Sequence, residues 1–232
     1  MEIGTCDYGV VPVENSTEGM VSNTLDRFIT SPLRINGEVA LPISHTLLSK
    51  ETKLSNVQTV YAHPQGLAQC RHWLNKHLPH SKLIAVNSNS EAAKRVAEGK
   101  NGMAAIAADR ASMIYGLSAL SSNIEDEVNN TTRFLVIGAQ DADISGSDKT
   151  AFLASIKNKP GALQSLISPL ANSGISMTRI ESRPSGKGIW EYIFFIDIEG
   201  HYQDDGVAAA LVELEHKSSM FRVLGSYPKA VI

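Results

Sequence analysis

Residues that could do chemistry gather at two places in this chain. The run Val11-Pro12-Val13-Glu14-Asn15-Ser16-Thr17-Glu18-Gly19 sets a carboxyl group beside three short polar side chains. It falls where a short buried strand, a turn and a helix N-terminus follow one another, a geometry that offers free backbone N–H groups to an anion. Asn15, Ser16 and Thr17 are good caps for that helix, each worth about 1 kcal/mol in that role, and a cap can still donate to a carboxylate. Glu14 reads as an acid or an orienting group, and equally as a solvated strand end. The second place is Asn130-Thr131-Thr132-Arg133-Phe134. Arg133 is the obvious cation for a carboxylate, yet neighbouring residues of a strand point to opposite faces, which can turn it away from Thr132. Other patterns carry less. His72, His77 and His80 lack a shared helix face and a carboxylate, so they make no metal site. Ser16 has no nucleophile elbow around it, and Gly9 with Gly19 is no phosphate-binding fingerprint.

The elements that must hold these residues alternate along the first part of the chain. After the strand at Asp7–Val13, the apolar positions Val21, Leu25, Phe28 and Ile29 predict a helix over Gly19–Ile29. Val39–His45 alternates like a strand, with Pro42 forcing an edge or a crossing point. Strands are expected at Val57–Ala62, Lys82–Val86, Gly102–Ala107 and Thr132–Gly138. Helices are expected on the stripe Leu67, Cys70, Leu74, Leu78, over Ala92–Glu98 behind a Ser88-x-x-Glu91 capping box, and over Asp109–Tyr115. This alternation implies a parallel α/β lobe, with a polar segment at Ser118–Thr131.

A linker rich in Asp, Ser and Gly covers residues 141–149, and the grammar then changes. A strand at Ala151–Ile156 leads to a helix with Pro160 in its first turn and the stripe Leu163, Leu166, Ile167, Leu170, Ala171. Strands at Ser176–Arg183 and Ile189–Ile198 flank a Pro-Ser-Gly-Lys-Gly turn. A helix at Gly206–Lys217 and a strand at Phe221–Tyr227 complete the ferredoxin-like β-α-β-β-α-β pattern.

With 232 residues, one to two domains fit. Hydrophobic residues at 43% and charged residues at 19% argue against disorder. The net charge of −3 and the lack of any basic run argue against nucleic acid. No apolar stretch is long enough for a membrane helix, and the first ten residues lack the pattern of a secretory signal. Two cysteines, Cys6 and Cys70, make no disulfide framework. The expectation is a soluble, cytoplasmic protein without membrane or nucleic-acid partners.

The Val11–Gly19 run, with Thr24 and Asp26 beyond it, resembles prephenate dehydratase. The likeness extends to His63-Pro64-Gln65 with Gln69-Cys70 and Trp73, and to Asn130–Phe134. Gly161-Ala162-Leu163, Glu181-Ser182-Arg183-Pro184 and Trp190-Glu191-Tyr192 look like the family's regulatory ACT domain. Ala62 stands where the family often has Ser. The resemblance implies an α/β, two-lobed, type II periplasmic-binding-protein-like dehydratase domain over residues 1–140. Its second lobe would cover about 39–116, a linker 141–149, and an ACT domain 150–232. Family members begin with a strand and a glycine-rich loop well before the first motif, so the likeness implies an incomplete first lobe here and weakened activity.

The implied reaction is decarboxylating dehydration of prephenate to phenylpyruvate, which calls for no cofactor and no metal. It needs donors for two carboxylates, help for a leaving hydroxyl and a dry pocket. By resemblance Thr132 is the hydrogen-bond donor to that hydroxyl, with Glu14, Asn15 and Ser16 beside it. Gln69, Arg133, Phe134 and His63 would contact substrate in a cleft between the lobes. Gly161, Ala162, Leu163, Glu181, Ser182, Arg183 and Pro184 would bind phenylalanine as effector, in a homodimer or homotetramer paired through ACT domains. A non-catalytic phenylalanine-binding regulator and an arogenate dehydratase are the alternatives.

Overall fold

The computed structural model describes residues 6–17, 19–127, 129–184 and 192–230. Met1, Glu18, the expected turn at 185–188 and the Ile189, Trp190 and Glu191 positions lie outside the described residues. Two compact units divide the chain, Met1–Leu41 with Thr132–Ile232, and Pro42–Thr131.

The first unit opens with strand β1 (Tyr8–Asn15), a two-residue strand β2 (Gly19–Met20), helix α1 (Ser22–Phe28) and strand β3 (Arg34–Pro42). β1 is not buried throughout: Val13 is fully covered, while Tyr8 and Val10 are 61% and 62% exposed. The chain leaves this unit at Pro42, which ends β3, an edge strand where a missing N–H is tolerated.

The second unit holds β4 (Thr46–Ser49), β5 (Thr59–Ala62), α2 (Pro64–Gln69), α3 (Arg71–His77) and β6 (Lys82–Ala85). It continues through α4 (Asn89–Glu98), β7 (Met103–Ala107), α5 (Arg110–Tyr115) and β8 (Ser118–Ser121). Its five-stranded sheet has the order β6-β5-β7-β4-β8. β6, β5 and β7 are parallel, but β4 pairs antiparallel with both β7 and β8, so the lobe is mixed rather than parallel. β4 and β8 are short and hidden in sequence: Thr46–Ser49 follows Pro42 closely, and β8 sits inside the segment read as polar. The single helix expected over Leu67–Leu78 is two, broken at Cys70 (φ −113°, ψ 17°).

Helices cover both faces of this sheet. Leu47, Val60, Ala104 and Ile106 pack with Cys70 and Leu74 on one side, and Leu48, Ala105 and Ala107 with Ala92, Ala93 and Val96 on the other. Double coverage explains the unbroken small-residue run of β7, since neither face meets water. Ser88 Oγ accepts from Glu91 N at 3.0 Å, while the Glu91 carboxylate reaches back to Asn87 N at 3.1 Å, one residue earlier than in a standard capping box.

On returning, the chain forms β9 (Thr131–Gly138), then β10 (Asp148–Ile156), α6 (Ala162–Asn172), β11 (Met177–Pro184), β12 (Tyr192–Glu199), α7 (Asp205–Lys217) and β13 (Met220–Pro228). α6 begins after Gly161, which takes φ +77°, so Pro160 precedes the helix instead of occupying its first turn. One sheet runs β2-β1-β9-β3 and the other β11-β12-β10-β13, the antiparallel order of a ferredoxin-like domain. The two sheets pack face to face: Val13, Ile35 and Leu135 of the first meet Leu153, Phe195 and Tyr227 of the second. α6 and α7 cover the second sheet's other face, over Phe152, Ile196 and Ile198. A Cβ at Gly225 of β13 would lie 2.2 Å from the Ile35 carbonyl oxygen of β3, so glycine is required where the two backbones touch.

Candidate active site

The register of β1 against β9 decides which side chains meet. Pro12 opposes Phe134, Glu14 opposes Arg133 and Asn15 opposes Thr132, with a bulge between Pro12 and Glu14. Without that extra residue, strict alternation from Tyr8 and Val10 would turn Asn15 toward the buried face. The bulge instead puts Asn15 on the outer face, where its Nδ2 donates to Thr132 Oγ1 at 2.8 Å. Asn15 Oδ1 accepts from Thr17 N at 3.0 Å, folding the chain back on itself. This corrects the expected cap: Asn15–Thr17 form a turn into β2, and the cap position of α1 is Val21, with no side-chain hydrogen bond. Ser16 is exposed in that turn, and Phe134 is half-buried on the same face of β9 as Thr132. A threonine hydroxyl has one proton and two lone pairs. Accepting from Asn15 leaves the proton of Thr132 to be donated elsewhere, and polarises it.

Glu14 and Arg133 share the opposite, inner face. Arg133 is 16% exposed and donates from Nε to Glu38 at 2.7 Å, from Nη1 to Asp197 at 2.8 Å and from Nη2 to the Tyr227 hydroxyl at 2.9 Å. Lys149 also binds Glu38 at 2.8 Å, and Arg179 lies 3.6 Å from Asp197. Glu14 is 41% exposed and 4.0 Å from Arg179. Burial raises the Glu38 pKa, but the Lys149 ammonium, the Ala230 N–H and Arg133 outweigh it and hold the carboxyl below its ordinary 4.5. Burial opposes the charge on Arg133, yet Asp197, Tyr227 and Glu38 raise its pKa above the ordinary value. Burial and the Asp197 charge push the Tyr227 phenol well above 10. The structure thus separates Glu14 and Arg133 from the Asn15–Thr132 pair. Sequence reading missed Glu38, Asp197 and Tyr227; Asp197, a lone carboxylate in the apolar run Tyr192–Ile198, was the available signal.

In the second unit, His63 caps α2, its Nδ1 accepting from Gln65 N at 3.3 Å while its own N–H donates to Asn89 Oδ1 at 2.9 Å. Gln69 ends α2 at the break, and its Oε1 lies 2.7 Å from Nε2 of His45. His45 is 5% exposed and was not singled out from sequence. Gln69 O accepts from Asp126 N at 2.7 Å, and the Asp126 carboxylate caps α3 at His72 N and Trp73 N. Burial, with Asp126 and Glu125 nearby, pushes the Cys70 thiol up to about 12, so it is no nucleophile.

The ferredoxin-like sheet carries a cavity of about 240 Å³ beside α6, lined by Gly161, Ala162 and Leu163 together with Tyr192 and Phe194. Leu163 is 39% exposed, so it is not a core residue. Ser182 opposes Phe194 and Pro184 opposes Tyr192, which puts them on the cavity's face of the sheet. Glu181 and Arg183 point the other way, where the Arg183 guanidinium holds Asp26 at 2.9 Å and Ser22 at 3.0 Å. Among the described residues no cluster of His, Cys, Asp or Glu could hold a metal ion, and no helix is long and apolar enough to cross a membrane.

A mixed α/β lobe inserted in the chain between the strands of a first sheet, followed by a ferredoxin-like sheet with its own cavity, defines a two-part α/β protein. The prephenate dehydratase family profile matches residues 1–142 and the ACT-domain profile residues 150–216. The bifunctional chorismate mutase/prephenate dehydratase of Stutzerimonas stutzeri is 51% identical over 230 residues, covering 99% of this chain and 63% of its own length. This chain therefore spans less than two thirds of that relative. The crystal structure of prephenate dehydratase from Arthrobacter aurescens, in complex with L-Phe, superposes with a TM-score of 0.87 at 34% identity, covering 98% of this chain and 76% of the other. A structure described as GqqA, a quorum-quenching acylase, superposes with a TM-score of 0.86 at 30% identity over 98% of this chain and 84% of the other. The chain belongs to the prephenate dehydratase family, and its architecture is a type II periplasmic-binding-protein-like α/β domain followed by an ACT domain.

Proposed function

We propose that this chain carries out the decarboxylating dehydration of prephenate to phenylpyruvate. The observation that carries the reading is the Asn15–Thr132 pair, a hydroxyl whose oxygen already accepts from Asn15, which leaves its own proton to be donated. In the reaction the bond to the ring carboxylate breaks, its electron pair enters the ring, and the ring hydroxyl leaves with a proton as water. Thr132 donates to that departing oxygen. An alcohol is a weak acid, so its part is to stabilise the leaving group and relay a proton, with Asn15 strengthening the donor. Gln69 supplies an amide to a substrate carboxylate, and Ser16 and Phe134 flank the reacting ring. Release of CO2 and aromatisation supply the driving force, which is why no cofactor enters the proposal.

L-phenylalanine is proposed as effector in the cavity at Gly161, Ala162 and Leu163, in keeping with the L-Phe complex of the Arthrobacter aurescens relative. Ser182 and Pro184 share that face. A ligand there acts on catalysis only by favouring one of two arrangements of the protein. A cytoplasmic location and a homodimer or homotetramer belong to the same proposal.

The test is direct. Purified protein is mixed with prephenate, and phenylpyruvate is followed with and without phenylalanine. Turnover that phenylalanine suppresses is the expected result. Phenylalanine binding by calorimetry with no turnover would make the chain a regulator, and faster turnover of arogenate would change the substrate. Thr132→Ala should lower kcat by about 10²-fold, the scale of a lost transition-state donor.

A further inference from the structure

Arg133 follows Thr132 directly, and its charge invites the role of a substrate-carboxylate ligand. The geometry points elsewhere. Nε, Nη1 and Nη2 each donate to a protein partner, Glu38, Asp197 and the Tyr227 hydroxyl, at 2.7–2.9 Å, and the side chains of Glu38 and Asp197 are each 4% exposed. Turning this fork toward a substrate carboxylate would leave two buried carboxylates short of a partner, an arrangement proteins avoid. The charges also balance in place: Arg133, Lys149 and Arg179 face Glu38, Asp197 and Glu14.

We infer that Arg133 is a positioning residue, which fixes Thr132 through the buried cluster and never touches substrate. Adjacent residues of a strand share one backbone but present opposite faces. A rigid fork held at three points on the inner face therefore sets the path of β9 just where Thr132 must meet Asn15 on the outer face. The anchor points come from both sheets, Glu38 from β3, Asp197 from β12 and Tyr227 from β13. Tyr227 is fully buried, its ring packs between the sheets, and its hydroxyl accepts from Arg133, so it cannot act on substrate by contact. Misplacement of a reacting group by about 1 Å can cost about 10²-fold in rate.

This inference rests on Thr132 being the donor, and the experiment separates the two. Thr132→Ala, Arg133→Lys and Tyr227→Phe are each assayed for kcat and KM on prephenate, with thermal melts reporting the folded fraction. Tyr227→Phe keeps the ring and removes one acceptor, so it folds. It should lower kcat about fivefold to tenfold with KM within about twofold of the parent. Arg133→Lys keeps the charge but loses the fork, and should lower kcat further, again at nearly constant KM. A merely structural role would move the melting temperature and leave both constants unchanged, which overturns the inference. A KM raised more than about tenfold by Arg133→Lys at constant kcat also overturns it, because that is the signature of a lost substrate contact. If Thr132→Ala is silent while the parent turns over, Thr132 is not the donor and both readings fall.

Discussion

The two faces of the β1–β9 pair are built by opposite rules. On the outer face, which Tyr8 and Val10 share farther along β1, Asn15 meets Thr132 through a side-chain hydrogen bond. On the inner face, one residue along, Arg133 is locked by three charged or phenolic partners, all of them buried. Few partners leave a hydroxyl able to serve a ligand; many partners make a group immobile. One Thr-Arg-Phe tripeptide thus serves both purposes, because a strand alternates.

That contrast can be broken most forcefully from the inside. Glu38→Gln leaves Arg133 and Lys149 short of a buried counter-charge and should cost about 3–5 kcal/mol, read from denaturant unfolding. A loss near zero would mean that the cluster is not structural. The outer face should respond the other way: Asn15→Ala should lower kcat by roughly tenfold or more while costing only about 1 kcal/mol of stability. Equal damage to both quantities would erase the distinction between the faces.

Acid and base sharpen it further. The folded Glu38 pKa lies below 4.5, so the unfolded chain takes up the proton first. Its contribution is complete above 4.5 and is lost as pH falls through the lowered value. The folded Tyr227 pKa lies above 10, so its contribution is complete below 10 and is lost as pH rises beyond it. Unfolding measured across pH should show both limbs, with the acid limb reduced in Glu38→Gln. The smallest effect belongs to the second unit, where Ser88→Ala should cost about 1 kcal/mol through the lost α4 cap and leave kcat unchanged.

Much of this was legible in the residues. Alternation, apolar runs and helical stripes placed β5, β6, β7, α4, α5, β9 and the ferredoxin-like repeat, because the apolar residues of those segments follow one another at strand or helix spacing in the sequence. The missed elements, β4 and β8, are as short as β5 and β6 but lack their apolar runs: each carries two apolar residues between hydroxyl side chains, Thr46 and Ser49 in β4, Ser118 and Ser121 in β8. The displaced start of α1 had a different cause. Asn15 has the chemistry of a cap, but its amide is drawn to Thr132, 117 positions away.

By itself the sequence determined the family, most of the succession of strands and helices, and, through the resemblance, Thr132, Asn15 and Gln69 as candidates, since motifs and periods are carried by local residue types and their order. Which face each residue serves was decided only in the folded chain. A single bulge re-phases β1, and long-range partners on β3, β12 and β13 turn Arg133 from an apparent ligand into an anchor. Register and buried charge pairing join Arg133 to residues up to 95 positions away, and no local pattern encodes such a distance.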